Sequence, residues 1–287
     1  MTSVVVIGSV NLDIVATADR LPAPGETVTG ADLARYPGGK GANQALAVAR
    51  LGADVCLLAC VGTDAAADEA LALLRAGGVD LAGCVAVDEI ATGVALISVA
   101  KSGENQIVVA PGANRALSPE RLVIPAADAL ICQLEVPVET IAHAAANFDG
   151  FFCVNLAPAR HVDVTVLQRA DLVVVNETEA AWYGDSLAAC HGMIATTFGA
   201  AGVVLQKNGV DLARTKPPRV QVVDTTAAGD TFTAALAVAL VEGQSPEDAL
   251  NFACAAGAAA TTKAGAQPSL PTRAEVLQLL QEAASEG

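Results

Sequence analysis

The chain has 287 residues, 53% of them hydrophobic and 16% charged, with a net charge of −15. So much apolar material builds a large core and excludes a disordered chain. The acidic balance excludes nucleic acid as the main partner, because phosphate backbones demand basic stripes.

The first eight residues, Met1-Thr-Ser-Val-Val-Val-Ile-Gly8, carry no basic leader, and residues 4–8 read as a strand buried on both faces. Residues 41–51 predict a helix whose apolar stripe is Ala45, Val48, Ala49 and Leu51. A second buried strand over 54–60 precedes a helix over 64–76 that stops at Gly77-Gly78. Strand and helix alternate again at 129–133 and 138–147, at 151–155, and at 171–175 and 177–182. The C-terminal third reads as helices over 229–242, 246–261 and 273–284. This order implies an α/β fold with a doubly wound, mostly parallel central sheet flanked by helices.

Two stretches break the alternation. Residues 12–36 place Pro22, Pro24 and Gly25 between short strand-like pieces, and residues 92–110 hold strands over 93–99 and 106–110 around Lys101-Ser-Gly-Glu104. Hairpins inserted into an α/β body form a lid or an interface. A single domain over 1–287, with a small β lid formed by about 12–36 and 92–110, is expected. No apolar run approaches the roughly 20 residues of a membrane span, so a cytoplasmic protein with no membrane partner is expected as well.

Cysteines 56, 60, 84, 132, 153, 190 and 254 form no CxxC pair and fit reduced core thiols. His143, His161 and His191 have no metal-ligand spacing and read as surface or packing residues.

The strongest chemical signal is Asp224-Thr-Thr-Ala-Ala-Gly-Asp230 ahead of an apolar helix. Small residues let a ligand approach the backbone, and the first amides of a helix are unpaired donors, so Ala227, Ala228 and Gly229 can form an anion hole. Asp230 beside that hole can take a proton from an incoming hydroxyl, or it can simply cap the helix. Gly38-Gly-Lys-Gly-Ala-Asn43 also precedes a helix. It is not a Walker A loop, since Gly follows Lys40, and no GxGxxG is present. It reads either as a glycine-rich turn or as a polyol site served by Asn43 and free amides. Asn11-Leu-Asp13 follows the first strand, where parallel sheets bind ligands, though Asn-x-Asp is also common turn chemistry.

Taken in order, Asn11–Asp13, Pro24-Gly-Glu-Thr27, Gly38–Asn43, Thr92-Gly-Val-Ala-Leu96, Pro111-Gly-Ala-Asn114, Asn176-Glu-Thr-Glu179, Asp224–Asp230 and Gly265-Ala-Gln-Pro-Ser269 resemble the ribokinase family of carbohydrate kinases over nearly the whole chain. The resemblance implies a sheet of about nine strands, a lid that often pairs two subunits into a homodimer, and ATP-dependent phosphorylation of ribose at its 5-hydroxyl. It implies that Asn11, Asp13, Gly38, Gly39, Lys40, Asn43 and Glu135 face the sugar, walled by Thr92–Leu96, with Asp230 as base. Asn176 and Glu179 would organise Mg²⁺ and phosphates, although Glu179 by itself reads as an exposed helix residue. Thr197, Gly199 and Gly202 would lie along the nucleotide, Gly229 on its phosphates, and Phe252, Ala253, Ala256 and Gly257 near the adenine. Asp224, Thr226, Ala260, Lys263, Gly265 and Ser269 match the loops that hold a monovalent cation, usually K⁺.

The chain departs from the pattern in a short stretch, 188–193, between Glu179 and Thr197, and it is trimmed near 147–150. Those cuts touch nucleotide affinity and local stability more than the sugar. A nucleoside kinase of the same family is the main alternative, disfavoured because no aromatic residue lies in 93–110. Other sugars and a non-catalytic sensor stand further off.

Overall fold

The computed structural model describes residues 1–286. In chain order the strands are β1 (Ser3–Ile7), β2 (Asn11–Ala18), β3 (Asp32–Gly38), β4 (Asp54–Gly62), β5 (Cys84–Val87), β6 (Gly93–Ala100), β7 (Asn105–Ala110), β8 (Ala129–Gln133), β9 (Phe151–Asn155), β10 (Leu172–Asn176), β11 (Met193–Thr197), β12 (Val203–Lys207) and β13 (Val210–Thr215). The helices are α1 (Lys40–Arg50), α2 (Ala65–Ala76), α3 (Val138–Ala146), α4 (Val164–Arg169), α5 (Glu177–Tyr183), α6 (Ala228–Val241), α7 (Pro246–Ala260), α8 (Ala266–Ser269) and α9 (Arg273–Glu286).

Nine strands make the central sheet in the order β13-β12-β11-β10-β9-β8-β1-β4-β5. Pairing is parallel from β5 to β11 and turns antiparallel only at β12 and β13. Strands buried on both faces need continuous apolar runs, and β1 shows why: Val4 and Val6 join the core under α1, α6 and α7, while Val5 and Ile7 join the core under α3 and α4.

The long runs 129–133 and 151–155 form strands with the boundaries expected of them. Asp64 caps α2 from outside it, its carboxylate accepting from the Ala67 amide. Six elements were not legible in the hydrophobic pattern: β5, α4, β11, α8 and the two strands of the β12–β13 hairpin. The hairpin did carry a signal, because Asn208-Gly209 joins its strands with φ of 52° and 76°.

The two interrupting stretches come together as a second sheet of four strands, β3-β2-β6-β7. Residue pairing puts Asp13, Tyr36, Ala95 and Val109 on one face and Ile14, Leu33, Leu96 and Val108 on the other. All seven cysteines are free, five of them buried. His143, His161 and His191 are exposed. Among the described residues, no helix is long and apolar enough to cross a membrane.

Candidate active site

β1 has β4 on one side and β8 on the other, and the crevice outside such central strand ends collects ligands in open parallel sheets. Here Ser9 follows β1, Glu135 follows β8, and the N-termini of α1 and α6 meet. Gly39 begins α1 with φ 89°, and a Cβ there would stand 2.7 Å from the Asn11 amide. Gly38 is equally tight, since its Cβ would fall 2.3 Å from Asp13 Oδ2. These two glycines therefore shape the wall by letting the chain pass the Asn11 backbone and the Asp13 side chain closely.

Asp230 lies in the first turn of α6 and is 6% exposed. Its Oδ2 accepts from Asn43 Nδ2 at 2.9 Å and its Oδ1 from Gln44 Nε2 at 3.0 Å. The capping alternative fails, because neither oxygen is given to an amide of its own helix; Ala227 is the N-cap residue. Asn43 Oδ1 is buried and has no partner, so the side chain that steadies Asp230 still offers an acceptor for a hydroxyl.

Asn11 is aimed by Asn114, whose Nδ2 donates to Asn11 Oδ1 at 2.8 Å and whose Oδ1 accepts from the Val10 amide at 2.9 Å. Glu135 Oε2 accepts from Ser9 Oγ at 2.5 Å and from the Lys40 amide at 3.1 Å. Asp13 is 8% exposed, and among the described residues no protein donor reaches its carboxylate. Thr92 is a correction: its hydroxyl donates to Asp64 at 2.6 Å, so it braces the cap of α2 rather than the sugar wall. Leu96 sits on the face of the four-stranded sheet opposite Asp13.

Electrostatics mark the same place. Burial, then Glu135 and Asp230, push Asp13 up to about 7, with Lys40 pulling the other way. Burial also raises Asp230, partly offset by Lys40, Asn43 and Gln44. Lys40 lines a cavity of about 220 Å³ together with Asn155, Asn176, Glu179, Gly229 and Asp230. Burial works against its ammonium, yet Asp230, Glu135, Glu179 and Asp13 keep it above the usual lysine range. Lys40 thus stands between the polar cleft and the start of α6. Such clusters of shifted groups are typical of catalytic centres.

At the start of α6, Ala227 takes a left-handed conformation with φ 61°. The Ala228 amide donates to the Thr225 carbonyl at 3.3 Å, whereas the amides of Ala227, Gly229 and Asp230 have no protein acceptor among the described residues. The donor set therefore differs from the expected Ala227, Ala228 and Gly229, with Asp230 in place of Ala228. Beyond it lies an apolar cavity of about 580 Å³ with Thr197, Gly199 and Gly202 on its wall. Phe232, Cys254, Gly257 and Ala258 are also on its wall, whereas Phe252, Ala253 and Ala256 are not. Helical phase is the reason: residues 254, 257 and 258 share one stripe of α7, continued by its C-cap Thr261, and Phe252 turns into the core beneath Arg273.

Glu179 is 8% exposed, against its expectation as a surface residue. It and Asn176 form a capping box: Glu179 Oε2 accepts from the Asn176 amide at 2.9 Å, and Asn176 Oδ1 from the Glu179 amide at 2.8 Å. No cluster of three acidic, His or Cys residues able to hold a metal occurs among the described residues. One carboxylate at the phosphate end fits Mg²⁺, which keeps its waters and is held largely by substrate phosphates.

The 224–226 and 260–269 loops are tied together, with Asp224 Oδ2 accepting from the Gly265 amide at 2.9 Å. Burial raises the Asp224 carboxyl, but bonds from the Thr226 hydroxyl and amide and the Gly265 amide outweigh it and hold the group low. The carbonyls of Thr226, Ala260, Lys263 and Gly265 take no hydrogen bond among the described residues. A bent pair of loops with free carbonyls and one ionised carboxylate fits a monovalent cation. The Lys263 ammonium is paired with Glu275 at 3.0 Å, and Ser269 Oγ donates to the Ala266 carbonyl at 2.8 Å.

A cleft of polar side chains opens onto a buried carboxylate, and that carboxylate abuts free amides at a helix start. Such a site can deprotonate a hydroxyl and hold a phosphoryl group arriving at it. The model of the pfkB family carbohydrate kinases matches residues 1–273. A ribokinase of Haemophilus influenzae is 39% identical, covering 97% of this chain and 98% of its own length. The crystal structure of a ribokinase from Thermotoga maritima superposes with a TM-score of 0.89 at 35% identity, covering 98% and 100% of the two chains. An Arabidopsis thaliana ribokinase complexed with ribose and ATP gives 0.86 at 32% identity, covering 98% and 99%. The chain belongs to the pfkB family of carbohydrate kinases.

Sequence reasoning missed four residues of this site. Ser9, Gln44, Asn114 and Asn155 each had a positional signal: two follow or end a central strand, Gln44 follows Asn43, and Asn114 closes Pro111-Gly-Ala-Asn114.

Proposed function

We propose that this protein transfers the γ-phosphoryl group of ATP to the 5-hydroxyl of D-ribose. One observation carries the reading: Asp230 lies between unfilled acceptors suited to a polyol, on Asn43 and Asp13, and the free amides at the start of α6. The Arabidopsis relative with bound ribose and ATP supports the choice of both substrates. Asn11, Asp13, Asn43 and Glu135 orient the sugar. Asp230 accepts the proton of its terminal hydroxyl, and that oxygen attacks the γ-phosphorus in line. Amides of Ala227 and Gly229, with the Lys40 ammonium, stabilise the charge on the transferring group. Asn176 and Thr197 lie along the triphosphate, and Gly199 and Gly202 along the nucleoside. Glu179 would help hold Mg²⁺, which would supply neutralising charge for the phosphates when bound. K⁺ held by Asp224, Thr226, Ala260, Lys263, Gly265 and Ser269 would steady the loop that carries the amides.

The test is ADP release with Mg·ATP, comparing ribose, 2-deoxyribose, fructose, adenosine and pseudouridine with and without K⁺. Ribose should be the preferred acceptor and K⁺ should raise its rate. Preference for a nucleoside would overturn the sugar assignment; the one aromatic ring on the Asp13 face of the lid, Tyr36, is packed on Gly265 and disfavours that outcome.

The four-stranded sheet serves as a lid on a single kinase domain, and we place the enzyme in the cytoplasm, where ATP and its free thiols both fit. Leu33, Leu96 and Val108 share one lid face and are 69%, 51% and 66% exposed, an apolar patch suited to a second copy of the lid. Sedimentation velocity should find a homodimer that Val108→Asp converts to monomer. A monomeric wild type at micromolar concentration would sink the lid dimer.

A further inference from the structure

We propose that Gln44 is a positioning residue for phosphoryl transfer, fixing the orientation of the Asp230 carboxylate through a chain of buried side-chain amides. The inference rests on the reading of Asp230 as base. Gln44 is fully buried and both ends of its side-chain amide are taken by protein partners, so it offers nothing to a substrate. Its Nε2 donates to Asp230 Oδ1 at 3.0 Å and lies 3.3 Å from Asn155 Oδ1. Its Oε1 accepts from Gln133 Nε2 at 2.7 Å. Asn155 is held in turn, its Nδ2 donating to the Val174 carbonyl at 3.2 Å.

These partners settle which way the Gln44 amide points. Asp230 and Asn155 supply acceptors that require the nitrogen, and Gln133 Nε2 donates to the oxygen on the other side. A flipped amide would set two oxygens against each other and strand the Gln133 donor in a dry interior. The relay therefore runs from the ends of β8 and β9, through α1, to a carboxylate on α6 that is 186 residues away in sequence from Gln44. Asn43 shares the task but keeps a free oxygen for a ligand; Gln44 keeps none.

The consequences are kinetic. Without the Gln44 donor, one Asp230 oxygen loses its fixed partner and the base spends less time aligned with the hydroxyl. The same loss favours the protonated carboxyl, because burial already raises Asp230 and Gln44 is one of the contacts opposing it. Lys40 on α1 opposes it too, while Glu135 after β8, Asp13 on β2 and Glu179 on α5 add negative charge around the group.

Gln44→Leu should lower kcat about 10- to 100-fold, the range of a lost hydrogen bond to a charged group. The KM for ribose should stay within about threefold, since uniform binding is untouched. The acid limb of the kcat profile should move to higher pH, so that part of the loss is recovered at alkaline pH. Gln133→Leu, which leaves Gln44 in place without its anchor, should reproduce the shift in smaller size and serves if Gln44→Leu fails to fold. In an Asp230→Asn background, adding Gln44→Leu should cost nothing further. A wild-type kcat and pH profile in folded Gln44→Leu, or in Gln133→Leu should the first not fold, overturns the inference while Asp230→Asn remains impaired. A near-normal rate for Asp230→Asn instead removes the base reading and the inference with it.

Discussion

Asp230→Asn is expected to lower kcat by at least about 10²-fold, the usual worth of a general base, with little change in the KM for ribose or ATP. The substitution keeps the shape of the side chain and removes its capacity to take a proton. The sugar contacts proposed for Asn11, Asp13 and Glu135 would be untouched, so binding and chemistry should separate cleanly in steady-state ADP release. The interior surroundings add a second cost. Asn43 Nδ2 and Gln44 Nε2 both donate to the carboxylate of Asp230. A carboxamide in its place offers one oxygen to those two donors and turns its own NH₂ toward one of them. A kcat close to wild type would show that the hydroxyl loses its proton elsewhere and would defeat the assignment.

Ribose binding should weaken as pH falls below about 7, by up to tenfold per pH unit, because the cleft offers the sugar an Asp13 carboxylate that becomes a carboxylic acid there. The cause is burial first, then the neighbouring Glu135 and Asp230, only partly answered by Lys40. With no protein donor on its oxygens, the ionised form waits for donors, and sugar hydroxyls are what can bring them. Asp13→Asn should bind ribose poorly and with a flat pH dependence. Isothermal titration from pH 5.5 to 8.5 reads both, and a pH-independent affinity in the wild type would overturn the idea.

The same residue predicts a trade of stability for function. Its folded pKa lies above its unfolded value, so its contribution to stability is fully present below about pH 4 and is lost as pH rises through about 7. Between those values the ionised group comes to cost up to about 4 kcal/mol. Asp13→Asn escapes that cost, so its thermal stability should exceed wild type at pH 8, and the gain should shrink as pH falls toward 4. Equal melting temperatures at pH 8 would mean that Lys40 already compensates the charge.

Local pattern was enough for the layered body of the molecule. Residues 129–133 and 151–155 are apolar almost without interruption because both faces of their strands are covered, and such runs can be read without a partner. Asp64 and Gly77 mark the ends of α2 by the same local logic of caps. β5 escaped notice as a four-residue edge strand with half-buried positions, too short for a period to register. α4, six residues long, failed for the same reason.

The sequence by itself determined the α/β alternation, the two insertions that become the four-stranded sheet, and the small-residue run ending in Asp230 ahead of a helix. Those features are local: they follow from side-chain period, from glycine's freedom and from the unpaired amides of a helix start. Only the tertiary structure decided that Asn43 and Gln44 would clamp Asp230 across 187 and 186 residues, that Glu179 would be buried, and that Cys254 rather than Phe252 would face the apolar cavity. Hydrogen-bond partners and exposed stripes are set by which helices cross, here α1 against α6 and α7 over the sheet, and no spacing along the chain encodes that crossing.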